Sequence, residues 1–147
     1  WDLLGFFAAL FVVINVMEHA LVLELIGKGL AHVIGLGDTL GAGLIVVLGA
    51  TVSSVTDNIP LAAMLAKILS AHPVIGSDPD SPFWWAVVFG ANLGGNLTPI
   101  GSASTLVAVT IIHKYELTLS FAGFVKRALP FAAVQILLAV AYIVLFV

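Results

Sequence analysis

Cysteine is absent from all 147 residues, which excludes disulfides, thiolate metal sites and a cysteine nucleophile. Charge is nearly as scarce. Lys, Arg, Asp and Glu make up 9% of the chain, against about a quarter in an ordinary soluble domain. A soluble core of this length needs a charged shell, and so few charges cannot build one. The net charge of -3 is small and dispersed, so neither a nucleic-acid surface nor an acidic tail is indicated. No nucleic-acid partner is expected. The sequence also lacks a nucleophile and base at usable spacing, an HExxH pair and a phosphate-binding glycine loop, so nothing points to an enzyme.

What is present is apolar sequence. The chain is 61% hydrophobic with a mean hydropathy of +1.20, so the lipid bilayer must serve as its outer solvent. It starts at Trp1 and enters an apolar run at once, with no charged n-region or small-residue cleavage site. That start reads as a piece of something longer, with an N-terminal half missing. Were the piece complete, two copies in opposite orientation, a homodimer, would have to supply an inverted pair.

Four hydrophobic blocks stand out. Residues 1–26 are long enough for one span at about 20 residues per crossing. Residues 28–37, "KGLAHVIGLG", are too short and glycine-rich for another and suit an interfacial segment. Residues 39–71 are split by "SSVTDNIP" into arms 39–52 and 59–71, of 14 and 13 residues. Each arm reaches roughly 20 Å at about 1.5 Å per residue, short of about 30 Å of hydrocarbon. Two such arms around a polar turn describe a re-entrant hairpin. Residues 82–113 form a broken span, interrupted at 90–102 by "GANLGGNLTPIGS", where Gly94, Gly95 and Pro99 disfavour continuous helix. Residues 121–147 form an uninterrupted last span.

Charge placement orients these blocks. Lys114, Lys126 and Arg127 make the loop 114–127 cytoplasmic, whereas "AHPVIGSDPDSP", with Asp78 and Asp80, is external. The hairpin then opens outward and the C-terminus lies outside. The expected fold is an all-α integral membrane domain of transmembrane helices, with one re-entrant helical hairpin and one unwound span. It would be one half of an inverted-repeat transporter.

Backbone freed from a helix in hydrocarbon costs several kcal/mol per unpaired group, so breaks persist where protein or a water-filled cavity satisfies them. Two breaks together offer helix ends, open carbonyls and polar side chains able to bind an ion. Asp57 is an ionisable group expected near the bilayer centre, the most direct pointer to cation or proton handling. Ser53, Ser54, Thr56 and Asn58 surround it, and Asn92, Asn96, Thr98, Ser102, Ser104 and Thr105 supply similar groups from the second break. Gly94, Gly95 and Gly101 let backbone approach a ligand closely. Asp57, Asn58 and Asn96 are the candidate sodium site; no other cofactor is expected. Each residue also has a structural reading: Asp57 or Asn58 before Pro60 is a good helix N-cap, the glycines suit helix packing, and the hydroxyls can back-bond.

Together the strings "SSVTDNIPLAAML", "FGANLGGNLTPIGSASTLVAVTIIHKYE" and "LSFAGFVKRALPF" resemble the C-terminal half of the ion transporter superfamily. Its members include arsenite permeases, NhaD-type sodium/proton antiporters, P protein and sodium/dicarboxylate symporters. The resemblance implies inverted repeats, each with a hairpin and an unwound helix, and a site between them. By position it carries the family's hairpin-tip residues onto Ser54, Thr56, Asp57, Asn58 and Pro60. Its unwound-helix residues fall on Asn92, Gly94, Gly95, Asn96, Thr98, Gly101 and Ser102. Where the dicarboxylate branch resembles Ser-Asn-Thr, this chain has Thr-Asp-Asn and Gly-Asn-Leu-Thr, and an added carboxylate opposes an anionic substrate. The expected function is a secondary active transporter of a small ion substrate, a sodium/proton antiporter-like permease of a bacterial inner (plasma) membrane. An arsenite, oxyanion or carboxylate permease is the alternative within the class. A passive channel or a non-transporting scaffold is the alternative outside it.

Overall fold

The computed structural model describes residues 2–147, without the side chains of residues 2, 3, 6 and 7; Trp1, where the first expected span begins, lies outside it. The described residues form α-helices and no strand: α1 Asp2–His19, α2 Val22–Ile34, α3 Asp38–Ser53, α4 Asn58–Ser70, α5 Pro82–Gly94, α6 Ala103–Lys114 and α7 Phe121–Phe146. Of these, α7 is long and apolar enough to cross a membrane, and α1 with α2 would qualify as one bent pair.

That bend departs from a continuous run to Ile26. The helix ends at His19, and its last turns meet α2 at 76°. Leu21 takes a left-handed conformation at φ 59° with no side-chain cap, a state costing about 1–2 kcal/mol for a residue with a Cβ. Glu18 pairs with Lys67 on α4, which ties the bend to the rest of the chain. Lys67 therefore has a specific partner. Helix α2 runs to Ile34 across the expected interfacial stretch. Leu23 is buried on one face, while Glu24 and Lys28 pair at 2.8 Å on the other. Gly37, at φ 93°, makes the left-handed turn into α3 that a larger residue resists.

The centre of the molecule is the packing of α3 on α5, with α4 and α7 against the same helix. Small residues make that approach possible. Gly49, Ala50 and Ser53 on α3 are buried against Gly90, Ala91 and Gly94 on α5, and Gly41 against Phe83. A Cβ on Gly49 would meet the Cα of Gly90 at 3.3 Å, so the two backbones are almost touching. Gly90 and Gly94 have the four-residue spacing of a small-residue helix seam. Around it lie Ile45, Val46, Leu61, Leu65, Leu69, Phe83, Val87 and Ile143. An aromatic ladder joins α5 to α7, with Phe89 6.0 Å from Tyr142 between ring centres. Trp84 donates its indole N–H to Asp78 O at 2.9 Å, fastening the loop before α5.

Helix α6 stands apart: only Val109 is buried, and Leu106, Val107 and Ile111 are about half exposed. Helix α7 is likewise apolar on its outer side, where Leu137, Leu138 and Leu145 are exposed. These surfaces suit lipid or further protein rather than water.

Candidate functional site

Two interruptions place the polar residues. Between α3 and α4 the chain turns through residues 54–57; between α5 and α6 it runs non-helically through residues 95–102. Because α3 lies along α5, the ends of these helices coincide and the two interruptions meet.

Three bonds join them and the helix ends that flank them. Ser53 Oγ donates to Ala91 O, and Thr98 Oγ1 donates to Ser54 O. Asn58 Nδ2 donates to Asn92 Oδ1 at 3.1 Å, while Asn92 Nδ2 holds Val88 O at 2.7 Å. Ser53, Ser54 and Thr98 are buried. Their bonds satisfy carbonyls that the helix ends would leave open, as backbone in a low-dielectric setting requires.

The hydroxyls share a chemical consequence. Ser54 Oγ donates to Thr51 O at 2.7 Å and Thr56 Oγ1 to Val52 O at 2.9 Å, so Ser53, Ser54, Thr56 and Thr98 each direct their one proton at a carbonyl. What each oxygen has left is lone pairs. These are acceptors, suited to a cation or to a ligand's own donor.

Asp57 starts α4. Its backbone is extended at φ -65° and ψ 137°, and its Oδ1 accepts from Ile59 N at 3.3 Å, so the N-cap reading is realised. Pro60 follows in the first turn, where a missing N–H is harmless. The cap engages one carboxylate oxygen, leaving Oδ2 without a hydrogen bond among the described residues. Asp57 and Asn58 are half-buried. Among the described residues no three His, Cys, Asp or Glu converge, so a cation bound here would rest on one carboxylate and neutral oxygens.

The second interruption is closed by its own end. Ser102 Oγ accepts from Thr105 N at 3.2 Å and lies 2.7 Å from Thr105 Oγ1, which reaches Gly95 O at 3.1 Å. Gly95 and Gly101 pack face to face; a Cβ on Gly101 would sit 3.0 Å from the Cα of Gly95. Gly94 instead remains in α5, where a Cβ would stand 2.7 Å from Ala50 Cα, so its lack of a side chain serves packing.

Asn96 goes elsewhere. Its Nδ2 donates to Gln135 Oε1 on α7 at 3.2 Å, and it lines a cavity of about 550 Å³ between α6 and α7 with Ser104, Thr105 and Arg127. Asn58 is thus joined to Asn92, while no hydrogen bond among the described residues links Asn96 to Asp57 or Asn58. Gln135 was not singled out from sequence, although an amide in the apolar run "FAAVQILLAV" is the kind of signal that marks a functional contact in lipid. A separate cavity of about 470 Å³, between α2 and α4, is lined by the matched pairs Glu18–Lys67 and Glu24–Lys28 and by mostly apolar groups.

An uncharacterized transporter of Mycobacterium tuberculosis is 32% identical over 147 residues, covering 97% of this chain and 34% of the relative. An uncharacterized transporter of Synechocystis is 32% identical over 159 residues, covering 97% of this chain and 35% of its own length. The P protein of Homo sapiens is 33% identical over 151 residues, with 97% and 18% covered. The chain therefore spans about a third or less of the relatives it matches, and is part of a larger integral membrane protein. No solved structure matches it. The family model described as citrate transporter matches residues 1–147, and the chain belongs to that family.

Proposed function

We propose that the chain is part of a secondary active transporter of small inorganic ions. In this reading it exchanges sodium for protons by alternating access, and Asp57 holds the two cations in turn. The observation that carries the reading is the chemistry of the joined interruptions. They hold one carboxylate and four hydroxyls that point their protons at carbonyls, and no Lys, Arg or His lies within residues 53–58 or 90–102. Such a set of oxygens suits a hard cation. The C-terminal ends of α3 and α5, with their negative dipole ends, arrive at the same place.

Helix lengths support a membrane arrangement of hairpin and broken span. Helices α3 and α4 have 16 and 13 residues, roughly 24 and 20 Å at about 1.5 Å per residue, each short of about 30 Å. Residues 39–71 then enter and leave on the external side, and α5 with α6 crosses as one broken span. Residues 114–127 are cytoplasmic and the C-terminus external, in a bacterial inner membrane. An inverted counterpart elsewhere in the full protein completes the site.

A second reading follows from the family's description: a carboxylate permease in which the cation at Asp57 drives uptake of the anion. The full-length protein in proteoliposomes separates the two. With an imposed sodium gradient and no organic anion, proton movement supports exchange. Sodium movement that appears only with citrate supports the second reading, and unitary conductance without coupling would reject both in favour of a channel.

A further inference from the structure

We propose that the cleft between α6 and α7 seats an anionic glycerophospholipid, with its phosphodiester on Arg127 and an acyl chain along the apolar walls. The site lies apart from the Asp57 cluster and does not rest on the exchange reading.

The charge comes from the end where α6 stops and α7 starts. Lys114 closes α6, and Lys126 and Arg127 lie near the start of α7, against the single carboxylate of Glu116 between them. None of these groups is in an ion pair among the described residues. An anionic headgroup therefore meets an excess of cations, whereas the ammonium of a zwitterionic lipid finds one carboxylate. Basic clusters of this kind beside membrane helices recognise anionic headgroups. Tyr115, exposed at the same end, suits the headgroup level.

Geometry separates the place of the headgroup from that of the chain. Arg127 donates one N–H to Gly123 O at 3.2 Å, which turns its guanidinium back along α7 toward the first residue, Phe121. A long basic side chain leaning to its helix end carries its charge to the membrane interface. Four of its five N–H groups have no partner among the described residues, in a planar fork that matches phosphate oxygens. The other polar groups lining this cavity of about 550 Å³ already have partners: Asn96 bonds Gln135, Thr105 Oγ1 bonds Gly95 O, and Ser104 meets Ser102. No acidic residue lines it. The remaining walls include Ala108, Leu119, Phe124 and Phe131, and Ala108 and Phe131 are exposed. A free phosphate gains nothing from such walls, whereas an acyl chain fills the cleft with dispersion contacts.

The test is photolabelling of the full-length protein in phosphatidylcholine vesicles. These carry a trace of phosphatidylglycerol with a diazirine in its acyl chain, or of phosphatidylcholine bearing the same chain, and adducts are mapped by peptide mass spectrometry. In the wild type, the phosphatidylglycerol probe should label α6 and α7 at the cleft well above the phosphatidylcholine probe. Unlabelled phosphatidylglycerol should compete, and glycerol phosphate should not. Arg127→Gln should raise the half-competing mole fraction of phosphatidylglycerol roughly 10- to 100-fold, the loss expected for a charge-assisted pair, and Arg127→Lys less. Ala108→Phe, which fills the cleft without touching the charge, should remove the adducts. Equal labelling by the two probes, wild-type competition in Arg127→Gln, or unchanged adducts in Ala108→Phe would overturn the proposal. Competition by glycerol phosphate would overturn it in favour of a free phosphate, and an unlabelled cleft would overturn it in favour of another part of the full protein.

Discussion

Substituting Gly94 by alanine tests whether the meeting of the two interruptions depends on the α3–α5 seam. The added Cβ would stand 2.7 Å from both Cα and C of Ala50, whereas ordinary contact begins at 3.4 Å. The carbonyl oxygen of Ala50 would lie closer still, so the helices must retreat by more than roughly 0.7 Å, and backbone cannot rotate away as a side chain could. Overpacking of this kind costs about 1–3 kcal/mol. Gly29 is the control, because it sits in α2 with nothing within 4 Å of the added atom. There Gly→Ala should stabilise by about 0.4–1 kcal/mol through helix propensity and unfolded-state entropy. Thermal unfolding of the full-length protein, followed in one detergent for wild type and both variants, reads the difference. Gly94→Ala must lower the midpoint while Gly29→Ala leaves it unchanged or raises it. Equal midpoints for Gly94→Ala and wild type would refute the seam.

Other consequences can be measured separately. Ser53→Ala should cost about 1–3 kcal/mol, because it removes the buried hydroxyl that satisfies Ala91 O; midpoints compared with wild type would reveal it. Gln135→Leu should reduce transport while the conservative Gln135→Asn retains more of it, because Asn96 loses its partner on α7; initial uptake rates compare the two. Single cysteines at Leu36 and Val74, both exposed beside the ends of the hairpin, should react with a membrane-impermeant maleimide from the same external side. A cysteine at Tyr115, also exposed, should be protected until the membrane is permeabilised.

The parts of the fold visible in sequence are those governed by local chemistry. Arms expected at 39–52 and 59–71 appear as α3 Asp38–Ser53 and α4 Asn58–Ser70, since Asp57 and Pro60 announce a helix start wherever they occur. The glycines predict an interruption over 90–102, yet α5 persists to Gly94 because Gly90 and Gly94 are helix-packing residues used by α3. Glycine looks the same in sequence whether it breaks a helix or lets another approach. The bend at Leu21 had no local signal at all: neither Gly nor Pro occurs there, and its partner Lys67 is 49 residues away from Glu18. For the same reason Thr98 to Ser54 and Asn96 to Gln135 could not be read from spacing. Residue types identify the interruptions; tertiary packing alone joins Thr98 to Ser54 and turns Asn96 toward α7.

In the proposed exchange one carboxylate, Asp57, binds sodium and protons in turn. The most direct measurement is the apparent sodium KM of proton exchange in proteoliposomes of the full-length protein, taken across external pH for wild type and Asp57→Asn. Competition at Asp57 predicts that the wild-type KM rises with proton concentration at an unchanged maximal rate, and that Asp57→Asn carries no sodium-driven proton flux. Exchange at the wild-type rate in Asp57→Asn would contradict it.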